Sequence, residues 1–258
     1  MAAPGSLLVV ERHARVYRRT WRGSVISTFA NPILYLLAMG LGLGSLVDEG
    51  GGTTQLDFDY LTFLAPGLLA AATMMTAAGD SLFPVMAGMK WTKHYNTALA
   101  TPITTQDLVI GHFGWVSLRI LFTAVVFTGV MVTFDTIEIS RALFVLPPAV
   151  LAGMAFAGPI TAYGARLTKE TGLSAVFRFV VTPLFLFSGT FFPIDQLPGW
   201  MQPVAYVTPL WHGVETTRAA ALGIETAWHP ALHVLVMAAF LLVGVVIANR
   251  IFHKRLVV

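Results

Sequence analysis

ALHVLVMAAFLLVGVVIANRIF, residues 231–252, carries a single formal charge, Arg250. A hydrocarbon core about 30 Å thick is crossed by roughly 20 apolar residues in a helix, so this run is long enough to span a bilayer. Five more runs of the same character precede it, at 24–47, 60–83, 108–134, 142–165 and 173–192. Together they predict an all-α polytopic membrane protein with six transmembrane helices. Composition agrees. Of 258 residues, 56% are hydrophobic and only 11% charged, with a mean hydropathy of +0.73, whereas an average soluble domain is about 25% charged. An ordinary water-soluble globular protein is excluded, and 1–258 reads as one membrane domain. The first run exceeds the ~7–15-residue core of a secretory signal and has no small-residue cleavage site, so it is expected to remain in the protein.

Charge gives the runs a direction. Six crossings leave both termini on one side. The N-terminal segment then shares that side with three other segments, and together they hold Arg12, Arg15, Arg18, Arg19, Arg22, Lys90, Lys93, Arg166, Lys169, Arg250, Lys254 and Arg255, which is 12 of the 16 cations. The connections 48–59, 135–141 and 193–230 hold only Arg141 and Arg218, against nine acidic residues. Because cytoplasmic loops carry the excess of Lys and Arg, both termini are predicted to be cytoplasmic in a multi-pass membrane protein. The net charge of +3 is accounted for by this asymmetry, and no nucleic-acid partner is expected.

Three segments outside the spans have a reading of their own. In 1–23, Leu7, Val10, Ala14, Tyr17 and Trp21 recur at intervals of three and four while Arg12, Arg15, Arg19 and Arg22 mark another face. That pattern predicts an amphipathic helix lying in the membrane interface. In 84–107, Lys90, Trp91, Lys93, His94 and Tyr95 precede Pro102, which disfavours helix at Thr101; a short cytoplasmic helix ending there would offer a docking element, and on these residues alone a plain loop is the default reading. In 193–223 and the residues leading into it, Phe191, Phe192, Ile194, Leu197, Trp200 and Met201 are too apolar for a watery loop. Yet five prolines between Pro183 and Pro209 bar a continuous span. Irregular backbone at membrane depth is tolerated only where protein or a wet cavity satisfies it. Two short helices, about 196–206 and 209–222, are therefore expected to dip into the outer leaflet, with Trp200 and Trp211 near the headgroups. A flexible outer loop is read at the glycine-rich 49–54.

Catalytic signals are sparse. There is no cysteine, so neither a disulfide framework nor a thiolate metal site is available. No phosphate-binding loop is present, and the chain is not expected to bind nucleotide itself. His212 and Glu215 have one-turn spacing but lack a second ligand pair, so no metal is expected. Asp80 near the inner end of the second span and Arg119 in the third form a candidate intramembrane charge pair, since charges at such positions are costly when isolated. Arg178, about one and a half turns into its span, is within snorkelling reach of the interface. Glu215 and Arg218, one turn apart, are placed to pair.

Several stretches resemble the ABC-2 family of ATP-binding-cassette transporter permeases, in particular its lipo-oligosaccharide (nodulation-factor) and daunorubicin-type exporter branch. They are NPILYL at 31–36 running into GLGLG at 40–44, TALATPI at 97–103, TP at 182–183 leading into SGTFFPIDQLP at 188–198, and TPL at 208–210 with Arg218 and Gly223. The resemblance implies six helices preceded by an interfacial helix, a coupling helix after the second span and re-entrant helices before the sixth. It also implies a bacterial cytoplasmic membrane, a separate ATPase subunit that carries ATP and Mg, and a second permease copy or paralogue forming a dimer. On this resemblance Lys90, Trp91, Lys93, His94, Tyr95, Thr97, Thr101 and Pro102 are the ATPase-coupling residues. The outer gate would comprise Phe191, Phe192, Pro193, Leu197, Trp200, Trp211, Glu215 and Arg218. The sequence departs from the family's acidic, arginine-rich pattern before Thr97, with Lys90, Trp91, Lys93 and His94 there instead.

The expected function is therefore outward movement of an amphipathic substrate (a glycolipid, a lipo-oligosaccharide or a hydrophobic drug-like compound) by a permease with no catalytic site. Two other classes compete. A lipid-modifying transferase would need paired carboxylates or histidines facing a cavity, and a secondary transporter would need coupling-ion carboxylates and helices broken at the midplane.

Overall fold

The computed structural model describes residues 4–39, 42 and 58–257, with helices and no strand among them. The helices are α1 (Gly5–Leu37), α2 (Tyr60–Met86), α3 (His94–Leu99), α4 (Thr105–Thr133), α5 (Leu146–Arg166), α6 (Thr171–Phe187), α7 (Gln202–Val207), α8 (Pro209–Leu222) and α9 (Pro230–Leu256). Four of these are long and apolar enough to cross a membrane: α2 with its π-helical extension to Trp91, α4, α5 and α9. The six-span layout goes beyond these four. Helix α6 has 17 residues, about 25 Å at 1.5 Å per residue, and ends where Ser188 leads into Gly189 with φ of +80°. The end of the first run and the glycine-rich 49–54 lie outside the described residues.

Bilayer-spanning helices gain nothing from hydrophobic transfer between themselves and rely on close packing of small residues. Helix α2 fits that role. It is 72% buried over its most apolar stretch, against 22% for α9, and small residues recur along its buried surface: Ala65, Gly67, Ala70, Ala71, Ala77, Ala78 and Ser81. Helices α5 and α9 meet at Gly158 and Gly244, where a Cβ on either glycine would collide with the other helix's backbone.

Helix α1 differs from the expected arrangement of an interfacial helix followed by a span. It runs unbroken from Gly5 to Leu37, because Gly23, the only breaker near the expected boundary, costs only about 1 kcal/mol in a helix. It runs parallel to α4. Gly5 lies against Asp107, Val9 against Gly111, His13 against Trp115, and Leu36 joins the cluster that holds Phe127 and Val130.

The helix ends sort by charge. At one end Arg255 donates to the Ala165 and Leu167 carbonyls, Lys90 to the Thr168 carbonyl, and Thr105 meets His253. This gathers the starts of α1, α4 and α6 with the ends of α2, α5 and α9, all from the Lys/Arg-rich segments. The opposite end gathers 135–145, 188–230 and the start of α2.

Candidate functional site

Asp80 on α2 and Arg119 on α4 are brought together. Arg119 Nε donates to Asp80 Oδ2 at 3.0 Å, Nη1 to the Tyr17 hydroxyl at 2.7 Å and Nη2 to Ser24 Oγ at 2.7 Å. The guanidinium also lies 4.4 Å from the Tyr17 ring centroid. One turn away, the Thr76 and Thr123 hydroxyls bond each other at 3.1 Å across the same two helices. All of these except Tyr17 line a cavity of about 250 Å³ between α1, α2, α4 and α6. Its polar side is Ser24, Thr28, Asn31, Thr76, Asp80 and Arg119; its apolar side includes Leu68, Met75, Phe127 and Phe185. Sequence reasoning found the ion pair, because charges stand out in apolar runs. It missed Tyr17 and Ser24, since Tyr17 was read on the apolar stripe of a helix whose neighbour was unknown.

At the basic end, α2 continues into a π turn (Ala87–Trp91), and Lys93 adopts a left-handed conformation with φ of 49° before α3 starts. Helix α3 stops at Leu99, ahead of Pro102, and Thr104 opens α4 with a capping box that includes Asp107. Of the eight residues assigned to ATPase coupling, Lys90, Trp91, Lys93, Thr97, Thr101 and Pro102 are exposed and His94 is half-buried. Trp91 Nε1 donates to Glu170 at 2.9 Å. Tyr95 is a correction. It is 1% exposed, packed on Gly88 and 5.3 Å from the Phe252 ring, so it holds α3 to the bundle from within and presents no surface to a partner. Burial, then the nearby Arg12 and His13, push His94 down to about 4, so it is neutral near pH 7 and adds no cation to this end.

The opposite end is organised by Arg218. It is 5% exposed, donating to the Phe63 carbonyl at 3.2 Å and the Gly189 carbonyl at 2.8 Å, with Glu215 3.5 Å away and the Phe63 ring 3.8 Å below. Gly67 permits this approach, since a Cβ there would sit 2.9 Å from the Thr190 carbonyl and 3.2 Å from Arg218. Helix α8 has the expected bounds, whereas 196–201 form only a 3₁₀ turn and loop, leaving α7 at Gln202–Val207. Among the residues read as an outer gate, Trp200 is 76% exposed, Phe191, Phe192 and Pro193 are half-buried and Leu197 is buried. Trp211, expected near the headgroups, is 2% exposed. Tyr206, Trp228 and His233 enclose it, with ring centroids 4.7–5.1 Å away. His212 pairs with His233 at 2.9 Å rather than with Glu215.

A sequence signature described as ABC-2 type transporter covers residues 6–222, most of the chain and every element just described except α9. The chain belongs to the ABC-2 type transporter family. Among curated relatives, this ABC-2 chain is 26% identical to nodulation protein J of Rhizobium meliloti (strain 1021) over 250 residues, which is 97% of this chain and 93% of the relative. It is 27% identical to nodulation protein J of Rhizobium leguminosarum bv. trifolii over 267 residues, 99% and 97% of the two chains. It is also 25% identical to the inner membrane transport permease YadH of Escherichia coli (strain K12), over 81% of this chain and 79% of that one. The ABC-2 chain is thus a multi-pass membrane protein of a transport family.

Proposed function

We propose that this chain is the permease subunit of an ATP-driven exporter. It would move an amphipathic substrate (a glycolipid, a lipo-oligosaccharide or a hydrophobic drug-like compound) outward across a bacterial cytoplasmic membrane, with both termini cytoplasmic. In this reading ATP and Mg are bound by separate ATPase subunits docked at the basic end through 84–107. A second permease copy or paralogue completes the path, and 193–223 closes its outer end. The observation that carries the reading is the two-sided cavity at Asp80–Arg119, which sets hydroxyl, amide and ion-pair groups beside an apolar wall in a chain of the ABC-2 family. An amphipathic cargo needs both walls.

The competing classes are less well supported. A coupling-ion carboxylate must be free to exchange its ion, and Asp80 is already matched by Arg119 at 3.0 Å. A transferase needs paired acid–base groups open to a cavity, and the facing histidines His212 and His233 are 1% and 0% exposed. The test is ATP hydrolysis by the purified chain, alone and after co-expression with a candidate ATP-binding-cassette ATPase. Hydrolysis is expected only in the co-purified complex. Robust hydrolysis by the chain alone, free of contaminating ATPases, refutes the reading.

A further inference from the structure

Arg178 is a cation without a use in the arrangement above. Ion pairs among the described residues engage Arg15, Arg119, Arg141 and Arg218, while Arg178 is exposed on α6 and in none of them. It sits in a π turn (Phe177–Val181) where the Thr182 N–H reaches back five residues to the Phe177 carbonyl. Pro183 follows and has no N–H to donate to Phe179, which explains why the helix widens there. Such π turns recur at functional positions in helices. Ser174 and Thr182, both exposed, share an open hollow with Arg178, and Phe83 of α2 and Phe177, stacked at 5.8 Å, form its apolar wall. Arg178 is seven residues past the start of α6, about 10 Å along the axis. That start lies at the basic end, beside Arg166, Lys169 and the Trp91–Glu170 bond.

We propose that this hollow between α2 and α6 binds the phosphate of an anionic membrane phospholipid. The guanidinium matches phosphate oxygens with paired donors, the Ser174 and Thr182 hydroxyls supply two more, and the acyl chains lie on Phe83, Phe177 and the exposed Phe179. A carboxylate from a second copy of the chain is the alternative occupant, and the structure argues against it. Of the four carboxylates outside the acidic end, Glu11 and Asp80 are paired with Arg15 and Arg119, and Asp107 and Glu170 accept hydrogen bonds from Thr104 and Trp91 of their own chain. A phospholipid is also the anion that a membrane presents along the whole of this face, next to a rim of Lys and Arg that attracts it. The inference does not depend on what the chain transports.

The experiment is native mass spectrometry of the purified full chain with dioleoylphosphatidylglycerol, with dioleoylglycerol, which lacks the phosphate, and with inorganic phosphate, which lacks the chains. Phosphatidylglycerol is expected to remain bound while the other two do not. R178Q should lower its retention at least about tenfold, the size of one lost charge-assisted contact, whereas R178K, which keeps the charge but loses the paired donors, should fall between wild type and R178Q. F83A should lower it with Arg178 intact. Both Arg178 variants are first checked for a monodisperse size-exclusion profile, and R178K preserves the test if R178Q fails it. Equal retention by wild type and R178Q, or by phosphatidylglycerol and dioleoylglycerol, overturns the proposal. Binding of inorganic phosphate alone also overturns it by making this a free-anion site. Loss of a permease dimer in R178Q with lipid retention unchanged would assign Arg178 to a subunit contact instead.

Discussion

Arg119 uses all three of its nitrogens, on three partners from two other helices. It therefore fixes α1 and α2 to α4 at one point, in surroundings where an unmatched charge is costly. Reversing either member of the Asp80–Arg119 pair leaves two like charges facing each other, and each single variant should melt earlier in detergent. The double reversal, Asp80→Arg with Arg119→Asp, should recover a coupling energy of about 1–3 kcal/mol. Recovery will be partial, because an aspartate at 119 is too short to reach both Tyr17 and Ser24. Additive losses in a double-mutant cycle read by thermal unfolding would break the assignment. The pair was legible because charges inside apolar runs are few. Tyr17 and Ser24 were not, because the helix that α1 packs on is decided by tertiary contacts such as Val9 on Gly111 and His13 on Trp115. Arg218 shows the same limit. Its spacing to Glu215 was readable, yet its shortest bond is to a carbonyl 29 residues away, at Gly189.

At the scale of elements, α3 and its flanks separate two aromatic residues that the sequence placed together. Trp91 is exposed and tied to Glu170, whereas Tyr95 is sealed against Phe252. Trp91→Ala should weaken capture of the proposed ATPase subunit by about tenfold or more, as loss of a large aromatic anchor does at interfaces, while leaving the melting point of the permease nearly unchanged. Tyr95→Ala should do the reverse, since emptying a packed aromatic site costs roughly 3–5 kcal/mol and loosens α3 as a whole. Unaltered ATPase capture by the Trp91 variant, measured by pull-down from detergent, would mean that the docking surface has been misplaced. The stop before Pro102 and the bounds of α8 followed from local chemistry, from a proline that disfavours helix before it and from a Thr208–Pro209 start closed by Gly223 in a left-handed conformation. The break expected near residue 23 failed because one glycine does not end a helix that packs on α4 over its whole length. Residues 196–201 failed as helix because Pro198 and Gly199 interrupt the first turn.

For the whole molecule, the division of its helix ends into a basic and an acidic face is the feature from which orientation follows. Cations gather where α2, α5 and α9 end, and among the described residues the acidic connection 135–141 lies where they begin, together with 188–230. If the basic face is cytoplasmic, then α7 and α8 reach inward from the outer surface, and α8 is wedged between α2, α5 and α9 through Arg218, Gly213 and His212. Burial within this segment is uneven. Trp200 and Val207 are 76% and 68% exposed, while Leu210, Trp211 and Val214 are at most 2% exposed. The chain has no cysteine, so single cysteines placed through 194–222 each report on one position in intact cells. With a membrane-impermeant thiol reagent, labelling from the outside is expected at 200, 204 and 207 and should be weak at 210, 211 and 214. In the proposed transport cycle, the weak positions should gain reactivity when ATP binding to the proposed ATPase subunits opens the outer end. Even labelling along the segment would describe an ordinary surface loop, incompatible with Arg218 being buried against the Phe63 ring. Labelling confined to inverted vesicles would reverse the orientation, and would place the Lys/Arg-rich face, with Trp91, on the side of the membrane that holds no ATPase.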